Sequence, residues 1–236
     1  MATLEALLSS GLNELGLLCP EETLLRFRAY YKALEETNKV MNLTAISGEE
    51  AVAQLHFLDC ASLLTLTDFA GKAVYDVGTG AGFPGLVVKI LCPETRLTLL
   101  DSLDKRIGFL RSTSARLGLE DTACLHQRAE EISPEQREAA DIVTSRAVAS
   151  LNVLAELCLP YVKEGGLFLA MKGPEYEAEL ESAKGAIKAL GGKCEACRSY
   201  MIPGTEVRHS VIMIRKIAPT AKRYPRRWAQ IKKAPL

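Results

Sequence analysis

The 236-residue chain has no surplus of either charge: 29 Lys and Arg stand against 29 Asp and Glu. Total charge alone therefore gives no reason to expect a nucleic acid or a membrane as partner. No stretch reaches about 18 uncharged apolar residues, so no helical membrane span is expected. Residues 1–10 contain Glu5 and no Lys or Arg, which argues against a signal peptide. Cysteine has no framework pattern. Its seven positions, 19, 60, 92, 124, 158, 194 and 197, are odd in number and scattered, unlike a secreted disulfide scaffold, and a reducing cytoplasm is the expected location. Low-complexity bias is absent too: 48% hydrophobic and 25% charged residues suit a globular chain with a substantial core. The length fits one large domain with an appendage better than two domains and a linker.

The neutral total hides an asymmetry. Glu206 is the last acidic residue, and residues 207–236 hold nine Lys or Arg, so a tail of +9 follows a body of −9. Such a tail is a candidate contact for a polyanion.

Apolar residues recur at near-helical intervals through Leu24, Leu25, Phe27, Tyr31 and Leu34. Residues 42–47 interrupt the pattern, and a further helix is expected over about 49–66, with Val52, Leu55, Leu58, Cys60 and Leu63 on its inner face. From Lys72 short apolar runs alternate with amphipathic segments. Residues 73–77, 97–100, 123–125, 142–143 and 167–171 read as strands of a largely parallel sheet. Two more, 194–201 and 207–215, flank Pro203-Gly204-Thr205, a turn suited to an antiparallel hairpin. Pro219, Pro225 and Pro235 argue against a continuous helix in the tail.

The segment richest in chemistry is Asp76-Val77-Gly78-Thr79-Gly80-Ala81-Gly82-Phe83-Pro84-Gly85, at the junction of the first strand and a helix. Glycines there let backbone approach a ligand closely. Gly80, Gly82 and Gly85 also satisfy the G-x-G-x-x-G of dinucleotide-binding turns. Asp76 distinguishes the two readings, because a carboxylate ahead of the turn opposes a pyrophosphate and suits a cationic ligand. The pattern resembles motif I of S-adenosylmethionine-dependent methyltransferases. Asp101, 23 residues beyond Gly78 at the end of the second strand, is placed to accept hydrogen bonds from ribose hydroxyls.

Two acceptor chemistries lack their residues. Methylation of an exocyclic amine usually uses a polar-Pro-Pro-aromatic motif after the fourth strand, where this chain has Thr144-Ser145-Arg146-Ala147-Val148. Attack by pyrimidine C5 needs a thiolate, commonly in a Pro-Cys pair, and only Cys19-Pro20 and Cys92-Pro93 occur, in reverse order. Acceptors already nucleophilic at neutral pH remain, among them guanine N7, which has no proton to remove.

Taken together, Met41-Asn42-Leu43-Thr44, His56-Phe57-Leu58-Asp59, the glycine loop, Leu99-Leu100-Asp101-Ser102 with Lys105-Arg106, Arg128-Ala129-Glu130-Glu131, Ser145-Arg146-Ala147, Lys172-Gly173 and Tyr224-Pro225-Arg226-Arg227 resemble one family over nearly the whole chain. It is that of the bacterial small-subunit ribosomal RNA guanine-N7 methyltransferases, RsmG or GidB. The resemblance implies an α/β class I methyltransferase fold: a Rossmann-like, seven-stranded, mostly parallel sheet behind an N-terminal helical extension. The implied organisation is a helical segment over 1–70, a methyltransferase domain over 71–216 and a basic tail over 217–236. It implies S-adenosylmethionine as cofactor, bound by Gly78, Gly80, Phe83, Asp101, Ser102, Leu103, Ala129, Glu130 and Arg146. Arg146 is the implied catalytic residue, facing either cofactor or base, with a salt bridge holding the fourth loop as the structural alternative. Lys172, Arg223, Arg226 and Arg227 are the implied RNA contacts. The partner would be 16S ribosomal RNA or the small ribosomal subunit, met by a cytoplasmic monomer without metal or membrane. Two departures stand out: Cys60 occupies a usual serine position, and Trp228-Ala229-Gln230-Ile231 replaces a tail segment that usually contains Gly and Pro.

Weaker signals remain. Cys194-x-x-Cys197 has metal-like spacing, but residues three apart on a strand face opposite sides and no second pair completes a site. His56 and Asp59, one helical turn apart, suit a brace between helical preface and sheet or a pair near the cofactor. His126 and His209 have no evident partner in the sequence.

Overall fold

A computed structural model describes residues 2–146 and 149–236. Met1, Ala147 and Val148 lie outside the described residues, so the last two positions of the segment after the fourth strand are not placed.

Helix α1 (Leu4–Glu14) starts at Thr3, whose Oγ1 accepts the Ala6 N–H, and buries Leu4, Leu8 and Leu12 at helical spacing. Helix α2 (Glu21–Met41) begins after Pro20 and stops at Asn42, which adopts the left-handed conformation at φ 47°. Arg28 of α2 joins its neighbours by pairing with Glu5 of α1 and with Glu49. The expected helix over 49–66 is helical nearly throughout but not of one pitch. Helix α3 (Glu49–Val52) widens into a π turn over Ala53–Leu58, returns to α as α4 (Asp59–Ala61) and tightens to 3-10 over Ser62–Thr65.

The sheet comprises β1 (Ala73–Val77), β2 (Arg96–Asp101), β3 (Thr122–His126), β4 (Ala140–Arg146), β5 (Val162–Lys172), β6 (Gly192–Met201) and β7 (Arg208–Lys216). Their spatial order is β3-β2-β1-β4-β5-β7-β6. The first five run parallel, and β7 lies antiparallel between β5 and β6. All seven expected strands are present, several two to six residues longer than the apolar runs that signalled them, because polar ends such as Asp101 and Arg146 complete the ladders. Helices α5 (Gly85–Leu91), α6 (Asp104–Arg116), α7 (Leu151–Cys158) and α8 (Glu177–Ala189) make the crossovers, and α9 (Trp228–Lys233) lies in the tail.

Two cores sandwich the sheet. One unites Leu8, Phe27 and Phe57 of the helical preface with Val87, Leu110 and the sheet residues Leu97, Leu99 and Leu169. The preface therefore shares its core with the sheet. The other joins Leu154, Ala186 and Ile187 to Val143, Phe168 and Ile212, and takes in Tyr224 and Ile231 of the tail. The order of strands reverses between β1 and β4, so their carboxyl ends open a crevice where ligands of such sheets bind. Among the described residues no helix is long and apolar enough to cross a membrane.

Candidate active site

A cleft of about 530 Å³ opens at that crevice, within the range of roughly 300–1,000 Å³ usual for small-molecule sites. Gly78, Gly80, Phe83, Asp101, Ser102, Ala129, Glu130 and Arg146 line it, so the fold brings together eight of the nine residues implied for the cofactor. Leu103 is exposed beside it, its N–H donated to Asp101 Oδ1 at 2.9 Å. The sequence singled out neither Gln127 nor Leu157, which also line the cleft.

The glycine loop fits a ligand that lies against backbone. Gly80 has φ +60°, and a Cβ there would meet no protein atom within 4 Å: the space beside it belongs to the cleft. Its N–H donates to Asp101 Oδ2 at 3.0 Å, which links the loop to the end of β2. Oδ2 also accepts from Arg106 Nη1 at 3.4 Å, and Oδ1 keeps a second lone pair for a hydroxyl donor. Gly85 is required by closeness, since a Cβ would stand 2.5 Å from Leu99 Cδ2 and 2.9 Å from Asp76 Oδ2.

Asp76 departs from its expected role. It is fully buried and does not line the cleft. Its carboxylate turns under the loop, accepting from Thr79 Oγ1 at 2.6 Å, Gly85 N–H at 2.8 Å and Thr144 Oγ1 at 3.1 Å. Burial pushes its carboxyl up to about 6 against these hydrogen bonds. Asp76 therefore shapes the loop rather than facing a cation.

Arg146, at the end of β4, is held on several sides. Nη1 donates to Leu55 O at 3.1 Å and Asp59 Oδ2 at 3.2 Å, Nη2 donates to His56 Nδ1 at 2.8 Å, and the guanidinium lies 4.9 Å from the Phe83 ring centroid. The salt bridge and the cleft-lining position thus coexist. His56 stacks on Phe83 at 4.3 Å and 18°. Arginine only donates, so His56 Nδ1 accepts and Nε2–H faces Thr44 Oγ1 at 2.8 Å. Burial, followed by the charge of Arg146, lowers His56 to about 3, and it is neutral. Asn38 fixes Thr44 by exchanging two hydrogen bonds of 2.9 Å with its backbone.

His56 and Asp59 meet at Arg146 rather than pairing with each other. Asp59, wholly buried, accepts from Tyr200 Oη at 2.7 Å and His209 Nδ1 at 2.9 Å, so the β6–β7 hairpin joins the cluster. Burial raises the Asp59 carboxyl, but the His209 hydrogen bond and the Arg146 charge outweigh it and hold the group below its usual value. His209 is raised in turn, chiefly by that hydrogen bond. These long-range partners had no sequence signal, whereas Thr44 lay within a recognised motif.

The residues implied for RNA lie elsewhere. Lys172 donates to Ala149 O and pairs with Glu179, both at 2.7 Å, and its side chain is only 9% exposed. Arg226 grips the buried carboxylate of Glu156. Arg223 and Arg227 are exposed. Cys194 and Cys197 do not face opposite sides: a bulge between Cys194 and Ala196 shifts the register and brings their Sγ atoms to 3.9 Å. Among the described residues no group of three His, Cys, Asp or Glu could hold a metal.

A family model described as rRNA small subunit methyltransferase G matches residues 23–209. The chain belongs to that family. Ribosomal RNA small subunit methyltransferase G of Pelotomaculum thermopropionicum is 45% identical over 241 residues, covering 100% of both chains. That of Acetivibrio thermocellus is 45% identical over 235 residues, covering 99% of this chain and 97% of its own. Among solved structures, TrmN from Thermus thermophilus superposes with a TM-score of 0.53 at 22% identity, over 67% of this chain and 48% of that one. M. jannaschii TYW2 in complex with AdoMet gives 0.55 at 14% identity, over 67% and 75%. These structural likenesses identify a class I methyltransferase fold. In this member of the methyltransferase G family, the matched segment ends on β7 and leaves the basic tail outside it.

Proposed function

We propose that the chain transfers a methyl group from S-adenosylmethionine to N7 of a specific guanine in 16S ribosomal RNA, acting in the cytoplasm as a monomer on the RNA or the small subunit. Family membership supports the reaction. The observation that carries the site is one cleft that gathers the glycine loop, Asp101, Glu130 and Arg146.

When bound, the cofactor supplies an electrophilic methyl group on a sulfonium. Gly78 and Gly80 would carry its backbone-facing part, Asp101 would accept from its ribose hydroxyls, and Ala129 with Glu130 would border its base. Three hydrogen bonds to Leu55, Asp59 and His56 leave two of the five Arg146 N–H groups for a base edge or phosphate. Guanine O6, adjacent to N7, is an acceptor of the right kind. No general base is needed, and the groups able to act as one are engaged: His56 by Arg146, Glu130 by Arg128 at 2.6 Å, and Asp101 by the Gly80 and Leu103 N–H groups and Arg106. Catalysis then rests on alignment of the N7 lone pair with the methyl carbon and sulfur.

The test is incubation with hypomethylated small subunits, or RNA extracted from them, and isotopically labelled cofactor. Label at N7 of a single guanine in 16S ribosomal RNA is the expected result. Label on another RNA, or on another atom of the base, would overturn the assignment.

A further inference from the structure

Trp228 lines the cleft together with Asp101, Arg128, Ala129 and Glu130. It comes from the tail, outside the segment that the family model matches. The tail is not a free arm. Arg226 sends its backbone N–H and Nε to Glu156 Oε1, both at 2.8 Å, and Nη2 to Oε2 at 2.6 Å, and Glu156 is completely buried on α7. Arg137 donates to the carbonyls of Thr220, Tyr224 and Ala221 at 2.9, 2.9 and 3.1 Å. Tyr224 and Ile231 are buried in the same core as Leu154 and Val77. These anchors bracket Trp228 on both sides and hold it half-buried beside that core. The Arg128 guanidinium stands 5.8 Å from the indole centroid while its Nε holds Glu130.

We infer that Trp228 is a wall of the cofactor cleft and packs against the adenine of S-adenosylmethionine, with Arg226 and Glu156 as the clasp that positions it. The inference rests on the cofactor reading given above. A purine needs a flat apolar surface beside polar partners for its edge. The indole supplies the surface in a cleft that Ala129, Glu130 and Gln127 also line, beside Arg128. Part of the tail thereby serves the cofactor rather than RNA.

Trp228 is the single tryptophan of the chain, so its emission reports this position alone. The folded protein is titrated with S-adenosylhomocysteine, adenosine and methionine, with calorimetry run in parallel. A saturable change in emission is expected with S-adenosylhomocysteine and adenosine, and none with methionine. Trp228→Ala should weaken S-adenosylhomocysteine by about tenfold, the effect of removing one base–aromatic stack. Trp228→Phe should keep most of the affinity and guards against a folding defect in the alanine variant. Arg226→Met should reproduce part of the loss and shift the emission of the free protein. Unchanged emission together with alanine-variant affinity within twofold of wild type would overturn the wall while leaving the cofactor site intact. A wild-type protein that binds no S-adenosylhomocysteine by calorimetry would instead overturn the cofactor reading, and this inference with it.

Discussion

Arg146 depends on a neutral histidine, and that dependence has a pH signature. His56 is lowered from an ordinary 6.5 to about 3, so between those values the unfolded chain binds the proton and the folded chain does not. Stability from this group is complete above about 6.5 and falls as the pH drops toward 3. Two groups act in the opposite sense. Asp76, raised to about 6, and His209, raised by Asp59, keep protons in the folded state and lose their contribution as the pH rises through their folded values. His56→Gln isolates the first effect. The stability difference between wild type and variant, measured by urea unfolding, should shrink as the pH is lowered from 7 to about 4; a difference independent of pH would mean that His56 takes up its proton equally in the folded and unfolded chains. At this scale the sequence was legible where residues sat in short motifs. The glycine loop, Asp101, Glu130 and Arg146 converge, while Tyr200 and His209 reach Asp59 across 141 and 150 residues of chain, a juxtaposition only the hairpin's docking creates.

Among elements, short apolar runs between amphipathic segments located the parallel strands, and the Pro-Gly turn located the hairpin. The π turn over Ala53–Leu58 and the bulge at Cys194 to Ala196 had no such signal, since each changes the backbone's phase without changing the polarity of the residues. Tertiary contacts select both. The π turn presents Leu55 O and His56 Nδ1 to one guanidinium, and the bulge turns two cysteines to the same side. The helical preface is tied by Arg28, which bonds carboxylates from α1 and α3. Glu5 and Glu49 have side chains 38% and 39% exposed, so solvent screens the pairs and Arg28→Met should cost on the order of 1 kcal/mol. Hydrogen exchange should localise that loss, with faster exchange in α1 and unchanged protection in β1, β4 and β5. Equal acceleration in the central strands would show that the preface and sheet open as one unit.

For the whole molecule, the division into a negative body and a positive tail gains a finer grain. Of the nine basic residues after Glu206, Arg215, Lys216 and Arg226 pair with Glu195, Glu138 and Glu156. Lys222, Arg223, Arg227, Lys232 and Lys233 are exposed. Replacing these five with glutamine should lower RNA affinity and flatten its salt dependence, the slope falling by up to about one for each phosphate no longer neutralised, without changing S-adenosylhomocysteine affinity. A salt slope equal to wild type would place the RNA surface elsewhere.

The position of β7 has a further consequence. It is the strand that covers the open side of β5, and β6 reaches the sheet only through it. A chain cut after Glu206 would keep the cofactor loops yet bare the edge Leu167-Phe168-Leu169-Ala170-Met171, five apolar residues without an intervening charge. Such an edge is a template for pairing with another copy. That fragment should accumulate as β-rich aggregates instead of a soluble partial enzyme, measured as pelleted protein that binds an amyloid dye; a soluble monomer would show that the preface and α7–α8 hold the sheet closed without it. The hairpin that steadies Asp59 is thus also the sheet's guard against self-association.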